Sequence, residues 1–458
     1  MDQASGSGEA VAVTPAERPR STPGQHWLAR LSFLFVGLAV VFIAVFAELK
    51  SITMFAVGLV GAAVSLAAAY FFLSRRGVWR WLSLAVFVLT PIAVIAVFAL
   101  RNLLWVAVVA AAIWLLASAT ARLALVRDHP DWRMPEHPAE PPARHPYLIM
   151  NPKSGGGKVD RFDLKRKAEE RGAEVFLIDG SEPVDVAKVA REAVAQGADL
   201  LGVAGGDGTQ ALVAGIAAQH GLPFVVISAG TRNHFALDLG LNRDDPSACL
   251  GALSDGVELR VDLGRINDQV FVNNASFGAY AEVVETPAYR GDKLNTTLNL
   301  LPDLLQGHRG VRLSARADNT EIRSPQALLV ANNPYGTGDI AGLSRRARLD
   351  AGVLGVIGVK VRNVQQAVDL LRGRRAVGVR VLSTKKIEIT ADAPQIPVGV
   401  DGEALSMSTP VVCTISPGAL RVWVPRDRPG IIPPKPPINW ARLWHLAGIH
   451  RKHAEAAM

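Results

Sequence analysis

Four apolar runs near the N-terminus, at about 31–49, 52–73, 81–100 and 103–121, constrain this chain more than any other feature. Each is long enough to cross a hydrocarbon core of roughly 30 Å as a helix. A secretory leader carries one such region rather than four, so cleavage is not expected. Lys and Arg orient the runs. Arg18, Arg20 and Arg30 precede the first, and only Lys50 lies in the next gap. Arg75, Arg76 and Arg80 fill the middle gap, and only Arg101 the third. Arg122, Arg127 and Arg133 follow the last. This alternation is expected to hold both ends and the middle loop in the cytoplasm, where ATP is. Glu48 is the one acidic residue in the runs and stands at an end, so no intramembrane relay marks a pump or channel.

The rest of the 458 residues is organised differently. Residues 1–25 are small, polar and Pro-containing, and are expected to be a disordered tail. Residues 26–124 form the membrane region, and the Pro-rich stretch 125–145 a semi-rigid linker. From 146 to 258, short apolar runs such as "PYLIMN", "AEVFLI", "DLLGVA" and "PFVVIS" alternate with helical patterns. That rhythm predicts a parallel sheet covered on both faces. From 259 to 425 strands dominate, with helical patterns only around 293–305 and 362–372, which predicts a mainly β sandwich. Residues 426–458 form a Pro-rich tail with an amphipathic helix. Cys249 and Cys413 are far apart, so neither a disulfide framework nor a zinc site is indicated. The net charge of +8 suits an anionic partner. With membrane segments present, lipid is the expected partner and nucleic acid is not.

Three turns carry the chemistry. "GVAGGDGTQALVAG" (202–215) joins a strand to a helix through Gly205, Gly206 and Gly208 and keeps one charge, Asp207. Glycines let the backbone approach a polyphosphate, and a helix N-terminus offers unpaired N–H groups to it. Asp207 would repel phosphate directly, so it implies a divalent cation between them or an orienting role. The competing reading is a tight turn capped by Asp207 and Thr209. "NPKSGGGK" (151–158) and "SAGTRNHF" (228–235) end two further strands. The former is not a Walker A loop, since Pro152 stands where the first Gly belongs and Val159 follows Lys158.

In order and spacing, "NPKSGGGK", "GGDGT", "GTRNHF", "VFVNNASFG" (270–278) and "VDGE" (400–403) resemble the catalytic domain of the diacylglycerol kinase and sphingosine kinase family. The resemblance covers about residues 146–425. It implies that Gly205, Gly206, Asp207, Gly208 and Thr209, with Gly230, Thr231 and Asn233, bind ATP. Asn151, Ser154 and Gly155 would shape the nucleotide cleft. Asp207 would act through Mg²⁺ and water. Glu403 would be the general base that takes a lipid hydroxyl proton, with Asp401 beside it. Phosphoryl transfer fits this set, because positioning and charge neutralisation dominate it. Taken alone, "VDGE" also reads as a type I′ or II′ hairpin turn.

This chain departs from the family pattern at three points. "GGDGT" is usually followed by x-Asn-Glu, but here by Gln210, Ala211 and Leu212. "GTxND" has His234 in place of the acidic residue. The "LDDG" of a structural metal site is here Leu349, Asp350, Ala351 and Gly352. Asp350 is therefore a metal candidate without its usual neighbour. Basic clusters "SRRAR" (344–348) and "RGRR" (372–375) are candidates for headgroup contact or solvated loops. The tail helix is a candidate for the membrane interface or for docking on the protein. The small residues "GLVGAAVSLAAA" (58–69) suit helix packing; the spans read first as an anchor, with a homodimer or substrate presentation as the alternatives. The expectation is a lipid kinase of a bacterial inner membrane, using ATP and Mg²⁺, with diacylglycerol as acceptor. An NAD kinase-like enzyme and a non-catalytic membrane regulator are the alternatives.

Overall fold

The computed structural model describes residues 22–46, 50–75, 77–100, 104–125, 133–178, 184–279, 281, 311–335, 345–346, 348–360, 379–431 and 439–448. Most of the expected tail, "RGRR" and the helical patterns 293–305 and 362–372 lie outside them. Two compact units result.

The first unit contains helices α1 (Pro23–Phe46) and α4 (Leu104–Leu125). Ala29 of α1 packs on Ala121 and Ala124 of α4, while Phe42 and Phe46 meet Trp105. The two helices are therefore antiparallel neighbours. Helices α2 (Lys50–Ser74) and α3 (Val78–Leu100) follow the remaining apolar runs. Three rather than four segments meet the length and apolarity of a span: Pro23–Ile43, Val78–Leu100 and Leu104–Leu125. The second run supplies only a shorter apolar stretch, Ala56–Phe72, among the described residues.

The second unit runs from Gly58 to Val94 and from Asp131 to Pro434. Its sheets contain β1 (His137–Pro138), β2 (Pro146–Met150), β3 (Glu174–Leu177), β4 (Leu200–Ala204), β5 (Pro223–Ile227), β6 (Gly256–Ile266), β7 (Gln269–Phe271) and β8 (Asn274–Gly278). There follow β9 (Leu313–Ala317), β10 (Thr320–Arg323), β11 (Ala327–Asn332), β12 (Leu354–Val359), β13 (Val379–Thr384) and β14 (Lys386–Ala391). The last are β15 (Gln395–Val400), β16 (Glu403–Ser408) and β17 (Val411–Pro425). Strands β3, β2, β4 and β5 are parallel. All five residues of β4 and of β5 are buried, as expected of strands covered on both faces. Helix α5 (Lys158–Arg161), α6 (Leu164–Glu169), α7 (Val186–Ala195), α8 (Asp207–Gln219) and α9 (His234–Asp238) accompany this sheet. In α7, Asp185 caps the first turn by accepting from Lys188 N, and Ala187, Ala190 and Ala193 turn inward at helical spacing.

The parallel sheet does not stop at β5. β17 pairs parallel to β5 with its C-terminal end and antiparallel to β14 with its N-terminal end. The sheet therefore continues as β17-β14-β9-β10, and β6 lies along β17 on both sides of a bulge between Ser416 and Leu420. A second, antiparallel sheet has the order β13-β12-β11-β8-β15-β16. A core of Phe271, Phe277, Leu328, Val356, Ile389, Val398 and Val411 lies between strands of both sheets. The Pro-rich stretch is tied down where described: β1 pairs with β6, and Asp199 accepts from the Arg144 and His145 amides.

Candidate active site

Three glycine turns meet at the carboxyl edge of β2, β4 and β5. A Cβ on Gly155, which has φ +56°, would lie 2.2 Å from the Ala229 carbonyl. A Cβ on Gly230 would lie 2.7 Å from the Gly205 carbonyl. The backbones of "NPKSGGGK", "GGDGT" and "GTRNHF" are thus in direct contact, an approach no larger residue permits. Asn151 N donates to Ala204 O, and the Asn151 side chain accepts from Lys153 N. Ser154 opens a short 3₁₀ turn with its amide on Asn151 O. Lys158 donates to the carbonyls of Ser228 and Arg243, so it braces the cluster, and burial lowers its pKa.

The N-terminus of α8 has no side-chain cap, and nothing lies within 4 Å of a Cβ built on Gly206. Uncapped amides beside open space fit a polyphosphate. Thr209 is half-buried in the first turn, and Thr231 is exposed on the neighbouring loop. Asp207 accepts from the His234 and Phe235 amides, each at 3.2 Å. Each oxygen accepts one long bond, which leaves lone pairs open to a hydrated cation. Asn233 differs. It is buried, and its side chain accepts from Gly230 N and donates to Ser228 O and Gly230 O. It shapes its own loop instead of facing a ligand. His234 is partly buried, which lowers its pKa against the pull of Asp207 and Asp238.

"VDGE" is a hairpin turn and a site residue at once. Val400 pairs with Glu403 across Asp401 and Gly402, whose φ values of +48° and +88° are the pair a type I′ turn requires. Asp401 turns inward and accepts from the amides of Val272, Asn273 and Asn274 at 2.8, 2.8 and 3.0 Å. Burial pushes its carboxyl up to about 7, the amides oppose this, and Asp207 adds to the rise. Asp401 is a positioning group. Glu403 is exposed, and its Oε1 lies 2.8 Å from where a Cβ on Gly208 would be. The hairpin thus carries an exposed carboxylate to the glycine turn at the start of α8.

A residue to which the sequence assigns a surface place holds this arrangement. Arg346, expected at a headgroup or in a solvated loop, is 0% exposed. Its guanidinium bonds Asp238 Oδ2 at 2.7 Å, the carbonyls of Val272, Asn273 and Asn332, and Asn273 Oδ1. It ties the helix after "GTRN" to the very segment that Asp401 grips. Only a run of arginines flagged it, and that signal reads equally as surface. Asp350 is also not as expected. Both its oxygens accept from Arg348 at 2.7 Å, and no cluster of three metal-ligating side chains occurs among the described residues. A guanidinium already neutralises this carboxylate, so the second metal does not fit.

Residues 145–266 match the family described as diacylglycerol kinase catalytic domain. Residues 280–424 match the YegS C-terminal NAD kinase beta sandwich-like domain. A diacylglycerol kinase of Bacillus subtilis (strain 168) is 27% identical over 272 residues, covering 56% of this chain and 88% of the relative. One from Mycobacterium tuberculosis (strain H37Rv) is 34% identical over 122 residues, 26% of this chain and 40% of that one. The solved structure of a proposed diacylglycerol kinase from Bacillus anthracis str. Sterne superposes with a TM-score of 0.50 at 22% identity. It covers 64% of this chain and all of that one, a likeness of fold.

Proposed function

The soluble part of this chain belongs to the diacylglycerol kinase catalytic family, and on that premise we propose that it moves the γ-phosphoryl group of Mg-ATP to a lipid hydroxyl, diacylglycerol being the acceptor. One observation carries the reading: the Glu403 carboxylate lies against Gly208, beside the uncapped N-terminus of α8. Those amides, with Gly205, Gly206 and Thr209, would hold the phosphates. Asn151, Ser154, Gly155, Gly230 and Thr231 would line the nucleotide. Mg²⁺, held through water by Asp207, would supply charge neutralisation as the phosphoryl group transfers. Glu403 takes the acceptor proton, and Asp401 fixes the turn from which Glu403 projects.

The wider reading follows the same premise. The α/β part up to 258 binds nucleotide, and the β-rich part from 259 presents the lipid. The arginines after α4 support a kinase on the cytoplasmic face of a bacterial inner membrane. Partners are lipid and membrane, not nucleic acid, with a homodimer through the small residues at 58–69. Crosslinking in vesicles tests the dimer. Three apolar spans suit a bilayer substrate and serve no purpose for soluble NAD. The NAD kinase-like description of the second half keeps that alternative in the test.

Full-length protein in detergent is offered labelled ATP, Mg²⁺, a lipid extract and NAD, beside Asp207→Ala and Glu403→Gln. Labelled phosphatidic acid, lost in both variants, is the expected result. Label on NAD alone, or ATP binding without any transfer, overturns the proposal. The latter would point to a regulator, a reading to which Ala211 and Leu212 contribute by replacing the usual Asn and Glu.

A further inference from the structure

The last described helix, α10 (Trp440–Ala447), is bound to the start of α1 and the end of α4. It has three distinct sides. Leu443, Leu446 and Ala447 are buried with Ala29, Ala121, Ala124 and Leu125. Its final carbonyls, which a helix leaves unpaired, are met by α1. His26 Nδ1 is 2.6 Å from Leu446 O, and Arg30 Nε donates to Ala447 O at 3.3 Å. Gly448, with φ +77°, closes the helix. On the second side Trp440 and Trp444 stand one turn apart, 50% and 41% exposed, their rings 6.3 and 5.3 Å from Phe33. The third side is Ala441 and His445, both exposed, with Arg442 at its edge.

Because α1 and α4 are antiparallel, α10 lies where α1 begins and α4 ends. Trp27 is 63% exposed near the start of α1, with the Arg30 guanidinium 5.4 Å from its ring. Further along α1 the outward residues are purely apolar: Leu34, Leu38 and Val41. The exposed surface thus carries tryptophan and arginine toward the start of α1 and aliphatic residues further along. Tryptophan rings with an apolar body and a polar N–H favour the boundary between acyl chains and headgroups.

We propose that Trp27, Trp440 and Trp444 form a collar seated at that boundary, and that α10 is an interfacial helix held there by α1 and α4. The occupant is the bilayer itself, since the two tryptophans of α10 continue the outward surface of α1. His445 and Ala441 face water. The inference rests on α1 and α4 crossing the membrane and is independent of the kinase reading.

Both native cysteines are buried, so an introduced one can be labelled selectively. Full-length Trp444→Cys, Trp440→Cys, His445→Cys and Leu34→Cys are labelled with bimane and reconstituted in phosphatidylglycerol–phosphatidylethanolamine vesicles. Acyl-brominated lipid is the quencher. Labels at 34, 440 and 444 should be quenched about threefold more than the label at 445. Quenching at 34 but not at 440 or 444 refutes the collar and leaves the span intact. No quenching at any position removes the span and the collar with it. Energy transfer between copies labelled at 444, without quenching, makes this face a contact between copies and also overturns the proposal. Agreement between the 440 and 444 variants excludes an artefact of losing either ring.

Discussion

Gly208→Ala separates the catalytic reading from a structural one, because the two predict opposite consequences. The new methyl would stand 2.8 Å from Glu403 Oε1, 3.0 Å from its Cδ and 3.2 Å from its Cγ, where ordinary contact begins at 3.4 Å. Glu403 must withdraw by roughly 0.6 Å or rotate away, given that a 1 Å misplacement of a catalytic group costs about 10²-fold. Its side chain is exposed, so the movement is cheap for folding. Gly208 lies in the first turn of α8 and has an ordinary helical backbone, so alanine adds helix propensity of up to about 1 kcal/mol there. The expected outcome is a melting temperature unchanged or raised, with kcat at saturating ATP and lipid reduced about tenfold or more. Steady-state kinetics and thermal unfolding of the same preparation read both quantities. A variant with wild-type kcat would refute the placement of Glu403 as the proton acceptor. A raised KM for ATP with kcat intact would mean that the methyl obstructs nucleotide instead.

Arg346→Met should cost about 3–5 kcal/mol in denaturant unfolding, because Asp238 would be left buried and unpaired; a cost below about 1 kcal/mol would remove Arg346 as the tie. Asp401 binds its proton more tightly folded than unfolded, so its contribution is fully present below about pH 4 and declines as pH rises to about 7. Asp401→Asn should flatten the decline in melting temperature over that window, and an unchanged slope would show that other groups set it. A chelator should leave the melting temperature of the nucleotide-free enzyme within about 1 °C, since Arg348 rather than a cation pairs with Asp350; a larger fall would restore the second metal.

Much of this was legible from spacing alone. "DLLGVA" and "PFVVIS" are unbroken apolar runs, and both became strands covered on both faces. "GGDGT" sits between a strand and a helix and could only be a turn at a sheet edge. The two readings of "VDGE" were competing on paper, but the hairpin is what delivers Glu403. Other features depend on contacts distant in sequence. Nothing local distinguishes Arg346 from a surface arginine, because its partners lie at 238, 272, 273 and 332. Asn233 reads as ligand-facing from its motif, because a motif cannot reveal that its bonds are to its own loop. β17 was assigned to the second half by composition, yet its end completes the first sheet.

That strand has a mechanical consequence. β17 and β6 run together through both halves of the kinase as one antiparallel ribbon, interrupted only at the bulge. The bulge is locked: Asp262 accepts from Gly418 N, Gly352 N and Asn333 Nδ2 there. A protein whose lobes are joined by loose linkers can open like a jaw. Here opening would have to bend a shared beam at a joint pinned from three directions. The ribbon therefore resists opening between the two halves.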